Sequence, residues 1–300
     1  VNLVSSAEEA RDLLATAKGH LRGGQPEEAA AKAREALEFL RQAKAWKDAA
    51  YALQVFCDGQ VASGQTDAAL QATRVLRDEA KKAGELTAEG HVLMASCGVL
   101  YAAWQLEECA AAARQAAPLF EKDGRPEEQA QALLVLAEAR LETGEGHEVA
   151  RRAAQKARTL FKEVQGHEYE EAQAVLLECR ARVYTLMNRP VHIHTPAAWA
   201  DVSRAIAEGE RLAWATEDPG LAATALRLAA QAHLAGGRYQ EAINAAAKAV
   251  KLYREHGGPK EVAAALVQGA EAQLKLARFR EVRELADEAL ALARQSGDEG

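Results

Sequence analysis

Apolar residues recur every three to four positions through most of the chain. In its last stretch Val262, Leu266, Ala270 and Leu274 line one side of a helix, and Val282, Leu285, Ala289, Leu292 and Ala293 line a second. Short breakers separate such stripes: Gly84, Gly124-Arg125-Pro126, Gly166, Asp218-Pro219-Gly220 and Gly257-Gly258-Pro259. Pro219 and Pro259 stand where a new helix begins, a position that tolerates a missing N–H. Upstream, Ser6 and Glu9 are spaced as a capping box for a first helix.

The pattern repeats. His20-Leu21-Arg22-Gly23-Gly24 through Glu28-Ala29 and His233-Leu234-Ala235-Gly236-Gly237 through Glu241-Ala242 both read H-L-x-G-G-x-x-x-E-A. With Gly24 as the turn, the next turns fall at Gly64, Trp104 and Gly144, each 40 residues on, and then at Tyr184. Gly237 follows Tyr184 by 53 residues and Ala277 follows Gly237 by 40, so the fifth unit carries 13 extra residues. Seven helix–turn–helix units are expected, over residues 7–45, 47–85, 87–125, 127–166, 168–217, 219–257 and 259–297, with an insertion at 185–197.

Small residues hold fixed offsets from the turns. Seven before the turn stand Ala17, Cys57, Cys97, Ala137, Leu177, Ala230 and Ala270. Five after it stand Ala29, Ala69, Cys109, Val149, Val202, Ala242 and Val282. Paired helices need small residues where their axes approach closely, and about 70 alanines supply both that and helix propensity. With the period and the glycine before each second helix, these seats resemble the tetratricopeptide repeat family in its longer, 40-residue variety, over essentially the whole chain. The resemblance implies a single all-α, right-handed solenoid over residues 7–297, with the first helix of each pair lining a concave groove.

The composition narrows the function. A net charge of −7 and a pI near 5.7 argue against a protein that coats nucleic acid. No apolar run reaches the length of a membrane span. The apolar fraction of 49% is too high for a disordered chain. Four cysteines in 300 residues do not make a disulfide scaffold. Cys57, Cys97 and Cys109 sit at the small seats and Cys179 near one, so all four are expected reduced and at least half-buried. The expected location is the cytoplasm or another reducing compartment, an organelle after loss of a targeting segment included. The chain starts at Val1, without an initiator Met, and stops at Gly300 where an eighth unit would begin. Its last helix keeps Val282, Leu285, Leu290 and Leu292 on more than one side, so a longer array or a docked subunit is expected at that end.

No catalytic or phosphate-binding signature is present in the sequence. No enzyme activity, cofactor or metal is therefore expected. His192 and His194 form an H-x-H pair in the insertion, but nothing adjacent completes a metal shell, and a solvated loop is the better reading. That loop is expected to project, with Arg189, His192, His194 and Trp199 making partner contacts. On the groove face, an apolar stretch at Met94, Gly98, Tyr101 and Trp104 is followed by the acids Glu138, Glu142 and Glu178. The family's chaperone-binding members grip a C-terminal carboxylate with a Lys/Asn set, which this face lacks. The leading expectation is a non-enzymatic scaffold for a protein or peptide with a basic segment, as part of a larger assembly. The alternative is a regulatory sensor whose superhelix responds to a bound peptide or small ligand.

Overall fold

A computed structural model describes residues 3–188 and 196–295. These residues form fourteen α-helices and no strand: α1 (Leu3–Arg22), α2 (Pro26–Gln42), α3 (Trp46–Ala62), α4 (Thr66–Ala83), α5 (Leu86–Ala102), α6 (Leu106–Lys122), α7 (Pro126–Glu142), α8 (His147–Glu163), α9 (Glu168–Met187), α10 (Pro196–Ala215), α11 (Pro219–Ala235), α12 (Tyr239–His256), α13 (Pro259–Lys275) and α14 (Phe279–Gln295). This is the all-α helix–turn–helix repeat expected from the period. The chain divides into two compact units, residues 1–146 and 147–300. Within each, helices pack on their sequence neighbours, and first helices touch first helices, α3 against α5 and α11 against α13.

The period has a local cause. Helices α2, α3, α5, α6 and α7 each contain 17 residues. Three residues join most neighbours, and two helices with two such joins give 40. The middle residue of the join is left-handed: φ is 69° at Gly24, 72° at Gly64, 65° at Gly124 and 73° at Gly237. Around Gly24, the Gln25 N–H donates to the His20 carbonyl at 2.9 Å and the Gly24 N–H to Leu21 at 3.2 Å. The pair of bonds closes the last turn of the helix as a Schellman motif. The third residue of the join already serves as N-cap of the next helix, as Gln25 does for α2 and Gln105 for α6. Asp218 adds a side-chain cap, accepting from the Leu221 N–H at 2.6 Å.

Small side chains hold the pairs together. Ala17, Ala29, Cys57, Ala69, Cys97, Cys109, Ala137, Ala230 and Ala242 are all buried. Two seats differ from the sequence expectation because two joins are four residues long. Residues 143–146 contain two left-handed glycines, Gly144 and Gly146. The seat therefore moves from Val149, 47% exposed, to Ala150, fully buried. Residues 164–167 turn through Gly166 at φ 88° and add a second slip. Cys179, not Leu177, becomes the twelfth residue of α9, the place Cys57 and Cys97 hold in α3 and α5.

The fifth turn also moves. Tyr184 lies inside α9, which continues to Met187, and both α9 and α10 reach 20 residues. Part of the insertion is therefore helix rather than loop, because added residues can extend hydrogen-bonded turns without disturbing the pair below them. Arg189, His192 and His194 lie outside the described residues. At the other end α1 starts at Leu3, so Ser6 stands within the helix rather than at its cap.

One repeat position separates packing from propensity. Gly19 and Gly59 both stand five residues before a turn. A Cβ on Gly59 would lie 2.8 Å from the Pro26 carbonyl oxygen and 3.0 Å from Ala30, whereas one on Gly19 would meet nothing within 4 Å. Gly59→Ala is expected to destabilise the protein by about 1–3 kcal/mol, because the α2 backbone cannot yield cheaply. Gly19→Ala is expected to stabilise it by up to about 1 kcal/mol through helix propensity. Urea unfolding of the two variants checks the opposite signs.

Candidate functional site

The first helices of the first unit present one shared face. On α5 the stripe is His91, Met94, Gly98 and Tyr101, three or four residues apart, the spacing of one helix side. A depression of about 520 Å³ opens where this stripe meets Tyr51 and Gln54 of α3 and Glu128 and Gln131 of α7. A second, of about 340 Å³, adjoins it over Asp48 and Tyr51 and is bordered by Leu14 and Lys18 of α1. The Lys18 ammonium lies 4.4 Å from the Tyr51 ring centroid, a cation–π contact.

Phe120 of α6 is fully buried and forms the floor. Its ring meets His91 edge-on, with centroids 5.2 Å apart. Gly90 makes room for it, since a Cβ there would sit 2.7 Å from the ring. Gly98 leaves a notch beside the Gln54 amide, which donates to Asp58 at 2.8 Å. Burial lowers the His91 pKa, and Lys47 and Arg125 add to that while Glu128 opposes it. Burial raises the Asp58 pKa, countered by the Gln54 hydrogen bond. The result is an open groove with an aromatic and thioether floor, amide walls and charges of both signs at its edges.

The structure places the sequence candidates as follows. Met94 and Tyr101 share the α5 stripe and are half-buried. Trp104 occupies a turn with φ 58° and is 69% exposed. A bulky residue rarely adopts that conformation. Glu138 and Glu142 are half-buried on α7, on the same side as Gln131. Glu178 belongs to the second unit and is not an open acid: it is buried, and accepts from Gln155 at 2.6 Å and Arg182 at 2.5 Å. Trp199 lies inside α10, half-buried against the core of the second unit and over Gly236. The sequence reading missed Tyr51, His91 and Phe120. The signal for two of them was present, since Arg11, Tyr51, His91 and Gln131 stand one 40-residue period apart.

Away from the groove, one arginine clasp occurs in both units. The Arg77 guanidinium of α4 donates to Glu89 of α5 at 3.4 Å and to Gln115 of α6 at 2.8 Å. Arg158 of α8 pairs with Glu171 of α9 at 3.7 Å and with Glu208 of α10. Each clasp ties three successive helices. Among the described residues no group of three or more His, Cys, Asp or Glu is placed to hold a metal. No helix among them is long and apolar enough to cross a membrane.

No family model matches the chain, and no curated protein matches it. Solved structures do. A Rap protein complexed with Competence and Sporulation Factor is similar with a TM-score of 0.67 at 13% identity, over 98% of this chain and 78% of that one. A signal-transduction ATPase of the STAND class from Pyrococcus horikoshii, described as having a tetratricopeptide repeat sensor, gives 0.71 at 15% identity. The match spans 97% of this chain but only 43% of the ATPase chain. The apo form of the quorum sensor NprR from B. thuringiensis gives 0.57 at 13% identity, over 96% and 77%. The fold is tetratricopeptide-repeat-like. At these identities the likeness establishes the fold alone.

The groove histidine makes a pH prediction. With its folded pKa lowered, His91 binds fewer protons in the native than in the unfolded state, so stability is full above the ordinary value of about 6.5 and falls as the pH drops below it. His147 and His233, also lowered by burial, act in the same direction. An NMR titration is expected to place the His91 midpoint below 6.5, and His91→Gln to reduce the stability lost between about pH 7 and pH 5.5.

Proposed function

We propose that this chain is a non-catalytic interaction module of the long-period tetratricopeptide variety, holding an extended peptide or partner segment along the first helices of its first unit. The observation that carries this reading is the adjoining pair of depressions over Tyr51, assembled from four successive first helices at one repeat position. A regular face of that kind offers side-chain pockets at fixed spacing to an extended chain. The Rap protein's complex with Competence and Sporulation Factor supports the reading from a protein of the same fold. Four free cysteines support a reducing, cytoplasmic compartment.

A sensor is the second reading. Two proteins of this fold are described as sensors, and stacked pairs that contact only their neighbours can shift cumulatively when a ligand bridges them.

Peptides selected from a random library on the immobilised chain provide the test. Met94→Glu and Tyr51→Ala are each expected to weaken the selected peptides by about ten- to a hundredfold, the loss of one buried side-chain contact. Arg34→Ala, outside the groove, is expected to leave them unchanged. Peptides that bind all three variants as tightly as the parent would reject the groove. A basic segment is proposed for the ligand because Glu138 and Glu142 lie on the groove side of α7. Exchanging both for Gln is expected to slow association at low salt and to have little effect above about 0.1 M, where the screening length is about 10 Å. A fluorescence distance measurement with and without peptide separates sensor from scaffold.

A further inference from the structure

The repeat brings the same two seats together in pair after pair: Ala17 with Ala29, Cys57 with Ala69, Ala230 with Ala242, Ala270 with Val282. In the third pair both seats are cysteine. Cys97 of α5 and Cys109 of α6 are 2% and 0% exposed. Each thiol donates to the other's backbone carbonyl oxygen at 3.5 Å. The contact is reciprocal, so each sulfur lies against the other cysteine's backbone across the helix interface. A disulfide requires Cα atoms within roughly 4.4–6.8 Å, and the pair occupies seats that hold two buried alanines in the first and sixth pairs.

We infer that Cys97 and Cys109 are a dithiol–disulfide site, oxidised by a peroxide-class oxidant, that ties α5 to α6 when closed. The inference does not rest on the groove. Hydrogen peroxide is small enough to reach the pair through local opening of the helices. The Cys109 thiolate attacks one peroxide oxygen, forming Cys109 sulfenic acid and releasing one water. The Cys97 sulfur then attacks the sulfenic sulfur; the S–S bond forms and the hydroxyl leaves with the Cys97 proton as a second water. Two thiols lose two electrons and two protons, and one peroxide becomes two waters. The balance is the same with the two cysteines exchanged. The Cys97 hydrogen bond lowers the Cys109 pKa, against burial and the charge of Glu138 on α7, while Cys97 is raised. Cys57 and Cys179 have no cysteine at the facing seat, and burial pushes both up to about 12. They are built-in controls.

The test treats the full native chain with millimolar hydrogen peroxide and counts free thiols. Cleavage after Glu107 or Glu108 separates the two cysteines, so a bridge leaves two fragments joined until dithiothreitol is added. Two of the four thiols are expected to disappear together, with the fragments joined and hydrogen exchange slowed in α5 and α6. Cys97→Ala, which reproduces the Ala17 and Ala230 seats and so preserves packing, is expected to stop at a dimedone-trappable Cys109 sulfenic acid. A bridge that forms only in denaturant, equal oxidation of Cys57 and Cys179, or no bridge at all would each overturn the inference.

Discussion

The three-residue join with a left-handed centre sets the terms for the rest of the structure. It closes two carbonyls of one helix, caps the next, and fixes how many residues separate corresponding faces. A non-glycine residue there costs about 1–2 kcal/mol, yet Lys44, Trp104, Glu217 and Ala277 all hold φ near 57°. The two hydrogen bonds and the packing of the joined helices together outweigh that cost. Glycine is the comfortable residue at this slot; the geometry persists without it. This is why the period survives at Trp104 and Ala277, where the glycine pattern lapses.

Alanine does the second half of the work. An alanine buries little area, so each contact contributes little by transfer alone. What it provides is close approach, which lets the neighbouring leucines, phenylalanines and backbone atoms pack at full density. The positions that depart from alanine show how tight the approach is. Gly59 has no space for a Cβ against α2, and Gly90 none against Phe120. Cysteine, only slightly larger than alanine, fits the same seats, and the thiol pair at Cys97 and Cys109 is a by-product of a packing rule applied twice in one unit.

Much of this was legible in the sequence, since the helices, their pairing and most buried seats follow from spacing alone. Spacing is a local property, and local rules write it. The groove was only half legible. Met94 could be placed on a stripe, but Tyr51 and His91 acquire meaning only when α3, α5 and α7 lie side by side, and Phe120 reaches the floor from a second helix. The arginine clasps were invisible for a related reason: Arg77 and Arg158 stand at equivalent places, but their acceptors, Glu89 and Gln115 for one and Glu171 and Glu208 for the other, come from the next two helices. Trp199 was read as a loop residue because nothing local distinguishes an insertion that loops out from one that extends two helices.

The misplacement of Glu178 has a sharper cause, and it bears on partner charge. Two four-residue joins shift the frame of the fifth unit by two residues, and two residues turn a helix by about 200°. Counted from Cys179, the position matching Glu138 is therefore Arg180, while Glu178 is carried to the opposite side, where it is buried against Gln155 and Arg182. Arg180 lies 5.4 Å from the Tyr184 ring centroid, a stacked cation on the stripe that an unslipped frame would have made acidic. The first-helix position that is acidic at Glu138 on α7 is thus basic at Arg180 on α9 and acidic again at Glu271 on α13. The joins that set the repeat thus also decide which charge stands at a given first-helix position.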